Sequence, residues 1–352
     1  MLFQDVLEIR NGRNQKAVEN PSGKYPIYGS GGIMGYADDY ICEANTVIIG
    51  RKGSINNPIF VDEPLWNVDT AFGLTADRNV LLPRYLFYFC KHFDFERLNK
   101  AVTIPSLTKS DLQKIEIDLP VIEVQQHIVD ILLNVEQIIA HRKTQLQKLD
   151  ELIKARFVEM FGDPTTNPNE YPIMAMPEIA EYWNGLTYKP EDVADEGTVV
   201  LRSSNIQNMQ LDFSDTVRVN CKIGDKKYVQ DNDILMCSRN GSAKLVGKVA
   251  LIHDLTEPMS FGAFMMIIRS EYYPYLMTYF QLPAFRSQIT TGATTTINQI
   301  TGNMMNKVML PVPDKETMIQ FAEFVQQVDK SKFVEISENR NLSLYGGIID
   351  DI

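Results

Sequence analysis

The chain has 352 residues, of which 44% are hydrophobic and 22% charged, and its formal net charge is -11. At roughly 150 residues per domain this predicts about two globular domains and excludes a disordered or fibrous chain. The acidity excludes a simple non-specific DNA coat, which would be basic, and no apolar run approaches the roughly 18 residues of a membrane span.

The start, MLFQDVLEIRNGRNQK, lacks an apolar signal core, so export is not expected. Asn11-Gly12 follows the apolar-periodic stretch Phe3–Ile9. Gly29–Gly32 (GSGG) and Asn57–Phe60 (NPIF) read as turns. Between them, VIIGRKGS (Val47–Ser54) is a short apolar run entering a Gly/Ser loop, the pattern of a strand and its exit. Arg84–Phe95 has helical apolar spacing, and its aromatics are expected in the core. TIPSLT (Thr103–Thr108) and Leu119-Pro120-Val121 close the first half.

A long helix follows. After Pro120 there is no Pro or Gly until Gly162. Leu132, Val135, Ile139, Arg142, Leu146, Leu149, Ile153, Arg156 and Met160 recur at 3-4 spacing, a heptad seam with arginine at two positions. Roughly 40 residues at about 1.5 Å each predict a rod of about 60 Å. Such a rod is expected to act as a spacer and to need a partner for its seam.

The second half repeats the first. Asn184-Gly185 follows Ile179–Trp183, and LMCSRNGS (Leu235–Ser242) matches VIIGRKGS, pairing Arg51 with Arg239. TINQIT (Thr296–Thr301) matches TIPSLT, Leu310-Pro311-Val312 matches Leu119-Pro120-Val121, and FAEFVQQVDK (Phe321–Lys330) matches IVDILLNVEQ (Ile128–Gln137). The offsets are 173, 188, 193, 191 and 193 residues, a slow drift in constant order that marks a duplication. Tyr275–Phe285 repeats the helical aromatic pattern. The second long helix starts its seam with Phe321, Val325 and Val328, but Lys332, Glu335 and Asn339 then stand at the seam positions. A short or altered second arm is therefore expected.

No catalytic set emerges. His92, His127, His141 and His253 show no His-x-x-x-His spacing, and Cys42, Cys90, Cys221 and Cys237 form no Cys-x-x-Cys pair. No metal site and no cofactor are expected, and scattered reduced thiols suit a cytoplasmic location. Gly241–Lys248 has five residues between its glycines and Val249 after the lysine, so it is not a phosphate loop. A methyltransferase reading of GSGG and NPIF fails as well: Pro26 interrupts the run before the first, Ile59 replaces a proline in the second, and neither recurs.

What remains is polar loop chemistry. Arg51, Lys52, Ser54, Asn56 and Asn57 cluster in one half, and Arg202, Ser203, Ser204, Asn205, Arg239, Asn240, Ser242 and Lys244 in the other. Arginine can bind guanine bidentately, asparagine can bind adenine, and serine and lysine suit phosphates or base edges. Two such sets on two related domains suit two half-sites along a duplex.

With these features the chain resembles the specificity subunit of type I restriction-modification systems. GKYPIYGSGGIMGY (Gly23–Tyr36) resembles the opening of a target-recognition domain. Thr103–Leu132 resembles the passage from such a domain into the family's long helix, Lys148–Pro164 that helix's end, and Leu310–Lys332 the entry to the second helix. The resemblance implies an α+β fold with target-recognition domains at residues 1–119 and 163–311, a central spacer helix at 120–162, and a second, apparently shortened helix at 312–352 packed antiparallel to the first. It also implies a non-catalytic DNA-reading subunit that binds a bipartite site in double-stranded DNA and docks two methylating subunits and the motor-nuclease subunits. A DNA methyltransferase and a coiled-coil protein-binding scaffold are the alternatives.

Overall fold

The computed structural model describes residues 1–99, 104–289 and 298–349, with side chains of the last segment described to Lys332. The chain forms two compact units, Met1–His141 and Arg142–Ile352. It is an α+β protein, as the sequence predicts.

The first unit contains α1 (Phe3–Val6), β1 (Leu7–Asn11), β2 (Tyr25–Gly29), β3 (Gly32–Ala37), β4 (Thr46–Gly50), β5 (Ile59–Val61), β6 (Trp66–Asn67) and β7 (Ala71–Ala76). α2 (Pro83–His92), α3 (Lys109–Leu112) and the first half of α4 (Ile122–Phe161) follow. One antiparallel sheet has the order β1-β7-β4-β5. Its β4, TVIIG, is buried along its whole length because β7 and β5 flank it and side chains cover both faces. Val47 and Ile49 enter a core with Phe3, Phe72, Leu86 and Phe95, whereas Ile48 packs with Cys42, Val61 and Leu65. In the second sheet β2 pairs with β3 antiparallel and with β6 parallel.

Helix α2 starts with Pro83 at a position where the missing N–H costs nothing. On α4, Tyr88 of α2 donates to Glu136 (2.9 Å) and Lys91 pairs with the same carboxylate (3.2 Å). Burial, then Glu136, pushes the Tyr88 hydroxyl up to about 12. The buried Gln125 side chain donates to the carbonyls of Val80 and Pro120 and accepts from Leu82 N–H, tying the start of α4 to the loop before α2.

The second unit contains the rest of α4, then β8 (Ile173–Ala175), α5 (Met176–Ile179), β9 (Glu181–Asn184), β10 (Val193–Ala194), β11 (Thr198–Leu201), β12 (Ile206–Gln207), β13 (Gln210–Leu211) and β14 (Arg218–Val219). β15 (Ile234–Cys237), β16 (Arg239–Asn240), β17 (Val249–Leu251), β18 (Met259–Phe261), β19 (Met265–Arg269), α6 (Tyr273–Tyr279) and α7 (Pro283–Ile289) come next. The chain closes with β20 (Asn298–Gln299), α8 (Gly302–Met305), β21 (Met309–Pro311) and α9 (Lys315–Ile349).

The predicted duplication is present in the main sheet and in the parallel strand pair. The sheet order β9-β19-β15-β17 repeats β1-β7-β4-β5, again antiparallel. The parallel pair β11–β18 repeats β2–β6. Even the register agrees: Asn11 faces Phe72 as Asn184 faces Met266, and Gly50 faces Ala71 as Cys237 faces Met265.

The end of α4 meets the start of α9 antiparallel within the second unit. Phe157 and Phe161 pack edge-on against Phe321 at 5.6 and 5.2 Å between ring centroids. Further along, Lys332 pairs with Asp150 at 2.8 Å, so residue numbers rise on α9 as they fall on α4. Of the predicted seam, Leu132, Val135, Leu146, Leu149, Ile153 and Met160 are half-buried, Phe321 and Val328 are buried, and Val325 packs against the core. Three corrections follow. Ile139 is exposed, so the seam is interrupted there. The fully buried positions near the end of α4 are Phe157 and Phe161, one residue beyond Arg156 and Met160 in the predicted stripe. And the seam of α9 does not stop at Val328: Lys332 is only 13% exposed and is answered by Asp150, and the backbone stays helical to Ile349. Glu335 and Asn339 lie beyond the described side chains.

Candidate nucleic-acid interface

The loop that leaves the central strand is held the same way in both units. In the first, the N–H groups of Arg51 and Lys52 both point to Thr70 O (2.8 and 3.3 Å), and Leu107 N–H donates to Arg51 O (2.9 Å). In the second, the N–H groups of Ser238 and Arg239 both point to Phe264 O (2.9 and 3.1 Å), and Ile300 N–H donates to Ser238 O (2.7 Å). Lys52 bridges to Ser106 as Arg239 pairs with Gln299. Thr108 then caps α3 by accepting from Asp111 N–H, and Thr301 caps α8 by accepting from Met304 N–H, each at 3.2 Å. The two repeated motifs therefore touch: the RKGS/SRNGS loop is sandwiched between one strand end and the stretch before the threonine cap.

This register corrects the sequence alignment by one residue. Arg51 is matched by Ser238, and Arg239 by Lys52. Backbone pairing decides the match, whereas the Arg-x-Gly-Ser string that suggested the other alignment is a loop composition carried one position along.

The candidate side chains fall into three groups. Arg51, Lys52, Ser54, Asn57, Ser242 and Lys244 are exposed on these loops, and Arg239 is half-buried. Arg51 lies over the Phe72 ring at 5.8 Å, and Arg239 over Phe264 at 5.1 Å. Asn56, although exposed, and Asn205 spend their amides on partners within their own units. Asn56 accepts from Phe95 N–H and donates to Asp94, holding that carboxyl below the usual range. Asn205 is buried; it accepts from Arg202 N–H and donates to the carbonyls of Asp212 and Asp215. Arg202, Ser203 and Asn240 stand between these extremes. Arg202 pairs with Asp215 at 2.8 Å, and Asn240 donates to Ser203 Oγ (3.2 Å) while accepting from Ser242 N–H (3.0 Å). Ser204 is half-buried in the turn between them.

Sequence reasoning missed two contributors. Ser30, at the β2–β3 tip, stands against the loop: a Cβ on Gly50 would lie 3.0 Å from Ser30 Cβ. Its counterpart is Ser203, because Val68 N–H donates to Tyr28 O as Gly262 N–H donates to Leu201 O. The GSGG turn and the Arg202–Asn205 stretch are thus the same place in the two units. Phe264, 57% exposed under Arg239, is the other. Its only sequence signal was an aromatic just ahead of a strand.

Among the described residues, no group of three or more His, Cys, Asp or Glu stands where it could hold a metal ion. Nor is any described helix long and apolar enough to cross a membrane.

Comparison with known proteins agrees with this architecture. Residues 3–151 match the family model of the type I restriction modification DNA specificity domain. A putative type I specificity subunit of Mycoplasma pneumoniae is 28% identical over 144 residues, 39% of this chain and 47% of that protein. The StySPI specificity subunit of Salmonella potsdam is 30% identical over 162 residues, 42% of this chain and 35% of that one. The chain thus spans less than half the length of these curated relatives. The S subunit structure from M. genitalium has the same fold, with a TM-score of 0.57 over 98% of this chain and 92% of that one at 16% identity. Residues 3–151 thus match the type I restriction modification DNA specificity domain, and the chain as a whole shares the fold of a solved S subunit.

Proposed function

We propose that this chain reads a bipartite site in double-stranded DNA, one half through each repeated unit, and carries no catalytic step of its own. In this reading residues 1–119 and 163–311 are the target-recognition domains, and the helices at 120–162 and 312–352 are the spacer on which two methylating subunits and the motor-nuclease subunits dock. The observation that carries it is the shared slot: the same backbone frame presents Lys52 in one unit and Arg239 in the other. A cation held by a fixed backbone, without a carboxylate partner among the described residues, suits phosphate or guanine. Acidity elsewhere is no obstacle when partner subunits supply further phosphate contacts. The exposed candidates Arg51, Ser54, Asn57, Ser242 and Lys244 surround the slots, whereas Asn56 and Asn205 shape the loops that bear them.

Lys52→Ala and Arg239→Ala test this. Each should weaken binding of the specific duplex about tenfold, or about 1.4 kcal/mol. If the contact is to a base, sequence preference relaxes in one half-site only, and the two variants affect opposite halves. If it is to phosphate, all sequences weaken alike and the slope of log affinity against log salt falls by about one. Binding of the subunit complex, titrated at several salt concentrations, distinguishes these. Wild-type binding by both variants would remove the slots from the interface.

A further inference from the structure

Resting on the DNA-reading function above, we propose that the β2–β3 ribbon of the first unit enters the major groove and that Ile33 and Met34 contact the 5-methyl group of a thymine. The ribbon is narrow and free at its tip. Cβ atoms added to Gly31 and Gly32 would meet nothing within 4 Å, and Gly32 has φ +123°, a turn conformation that glycine supplies. Directly behind the tip, Ile33 is 56% exposed and Met34 61% exposed. Two large apolar side chains at the end of a ribbon thus keep more than half of their surface in water.

Their placement is specific. Ile27 faces Gly35 and Tyr28 faces Ile33, so Met34 is the extra residue of a β-bulge, a device that re-aims a side chain. Gly29 makes room for it: a Cβ there would lie 2.6 Å from Met34 Sδ. The same tip abuts the loop bearing Arg51 and Lys52, both exposed, through Ser30. Apolar tip and cations therefore face one partner, which must combine negative charge with small apolar groups. Duplex DNA does so in its major groove, where phosphates flank thymine methyls and a two-stranded ribbon fits. An apolar protein groove would match Ile33 and Met34 but not the adjoining cations, and an anionic membrane would match both but has no place in the DNA-reading function.

The second unit is built differently at the matching place. There Arg202 is bound to Asp215 and Asn205 is buried, and the chain passes through a polar turn into the short β12–β13 hairpin, whose exposed residues Gln207, Asn208 and Gln210 are polar. An apolar ribbon tip is thus a property of the first unit.

The test uses the full chain assembled with its methylating subunits. The half-site read by the first unit is identified as the one whose sequence changes when residues 1–119 are exchanged for those of another specificity subunit. Each thymine in it is replaced by deoxyuridine, which removes only the methyl, and affinities are measured by fluorescence anisotropy. One replacement should weaken wild-type binding about threefold to fivefold, the effect of losing one buried methyl. Ile33→Ser or Met34→Ser should lose a similar factor on the thymine duplex and become indifferent to deoxyuridine. Replacements in the other half-site should affect wild type and variants equally. Both residues are exposed, so unchanged thermal melting should show that the variants fold. A half-site without thymine, variants that keep the thymine preference, or a loss confined to subunit assembly would each overturn the inference while leaving bipartite reading intact. Wild-type complex that binds no specific duplex would overturn both.

Discussion

Phe157→Ala should lower the stability of the second unit by about 3–5 kcal/mol, the range for emptying a large aromatic site. Phe157 is fully buried and sits at 4.9 Å from both Phe161 and Tyr275 and 5.6 Å from Phe321, centroid to centroid. It joins α4, α6 and α9, so its loss opens a cavity at a three-helix junction that cannot collapse without moving a helix. Tyr275 is fixed there by its hydrogen bond to Pro311 O (2.6 Å), which limits relaxation further. Burial, with lesser contributions from Tyr279 and Tyr171, drives the Tyr275 hydroxyl far above its ordinary range, so it remains a neutral donor. Phe157→Leu should recover much of the loss, since volume-conserving swaps cost less. Urea denaturation followed by tryptophan fluorescence reads both values through Trp183, which is in the same unit.

Gly12→Ala and Gly185→Ala should each destabilise its own unit by about 3 kcal/mol, the upper part of the usual overpacking range. At Gly12 an added Cβ would overlap the carbonyl of Val68, and at Gly185 the carbonyls of Phe261 and Gly262. These are backbone atoms of the segment that each chain crosses, so no rotamer change relieves the clash. The crossing is held by Gly12 N–H to Ala71 O and Gly185 N–H to Met265 O, each at 3.2 Å. Hydrogen exchange would localise each effect: Gly12→Ala should loosen β1 and β7, and Gly185→Ala should loosen β9 and β19. Wild-type exchange in both variants would show that the crossing is more adaptable than its geometry indicates.

These two positions also show what a sequence can disclose. Asn-Gly recurs in both halves because the same close backbone approach recurs, and a residue type forced by sterics is visible as a repeat. The α4 rod was legible for a similar reason: forty residues without proline or glycine leave few alternatives. Its buried face was less so. Phe157 and Phe161 lie one residue off the aliphatic stripe, and their burial depends on Tyr275 and Phe321, which are distant in sequence. Lys332 looked like the end of a seam because a lone sequence does not reveal Asp150 across from it. The polar loops were found by composition, but their roles were set by hydrogen bonds to remote partners. Asn56 is spent on Asp94 and Asn205 on Asp212 and Asp215, while Lys52, set against Asn240 by the alignment, occupies the slot of Arg239.

Methylome sequencing of cells with and without this gene tests most directly whether the two repeated units read two halves of one site. The expected result is one bipartite motif, two short sequences separated by a non-specific spacer of fixed length, whose methylation disappears when the gene is deleted and returns with it. A methylome that is unchanged by deletion, or a lost motif that is a single uninterrupted sequence, would contradict it.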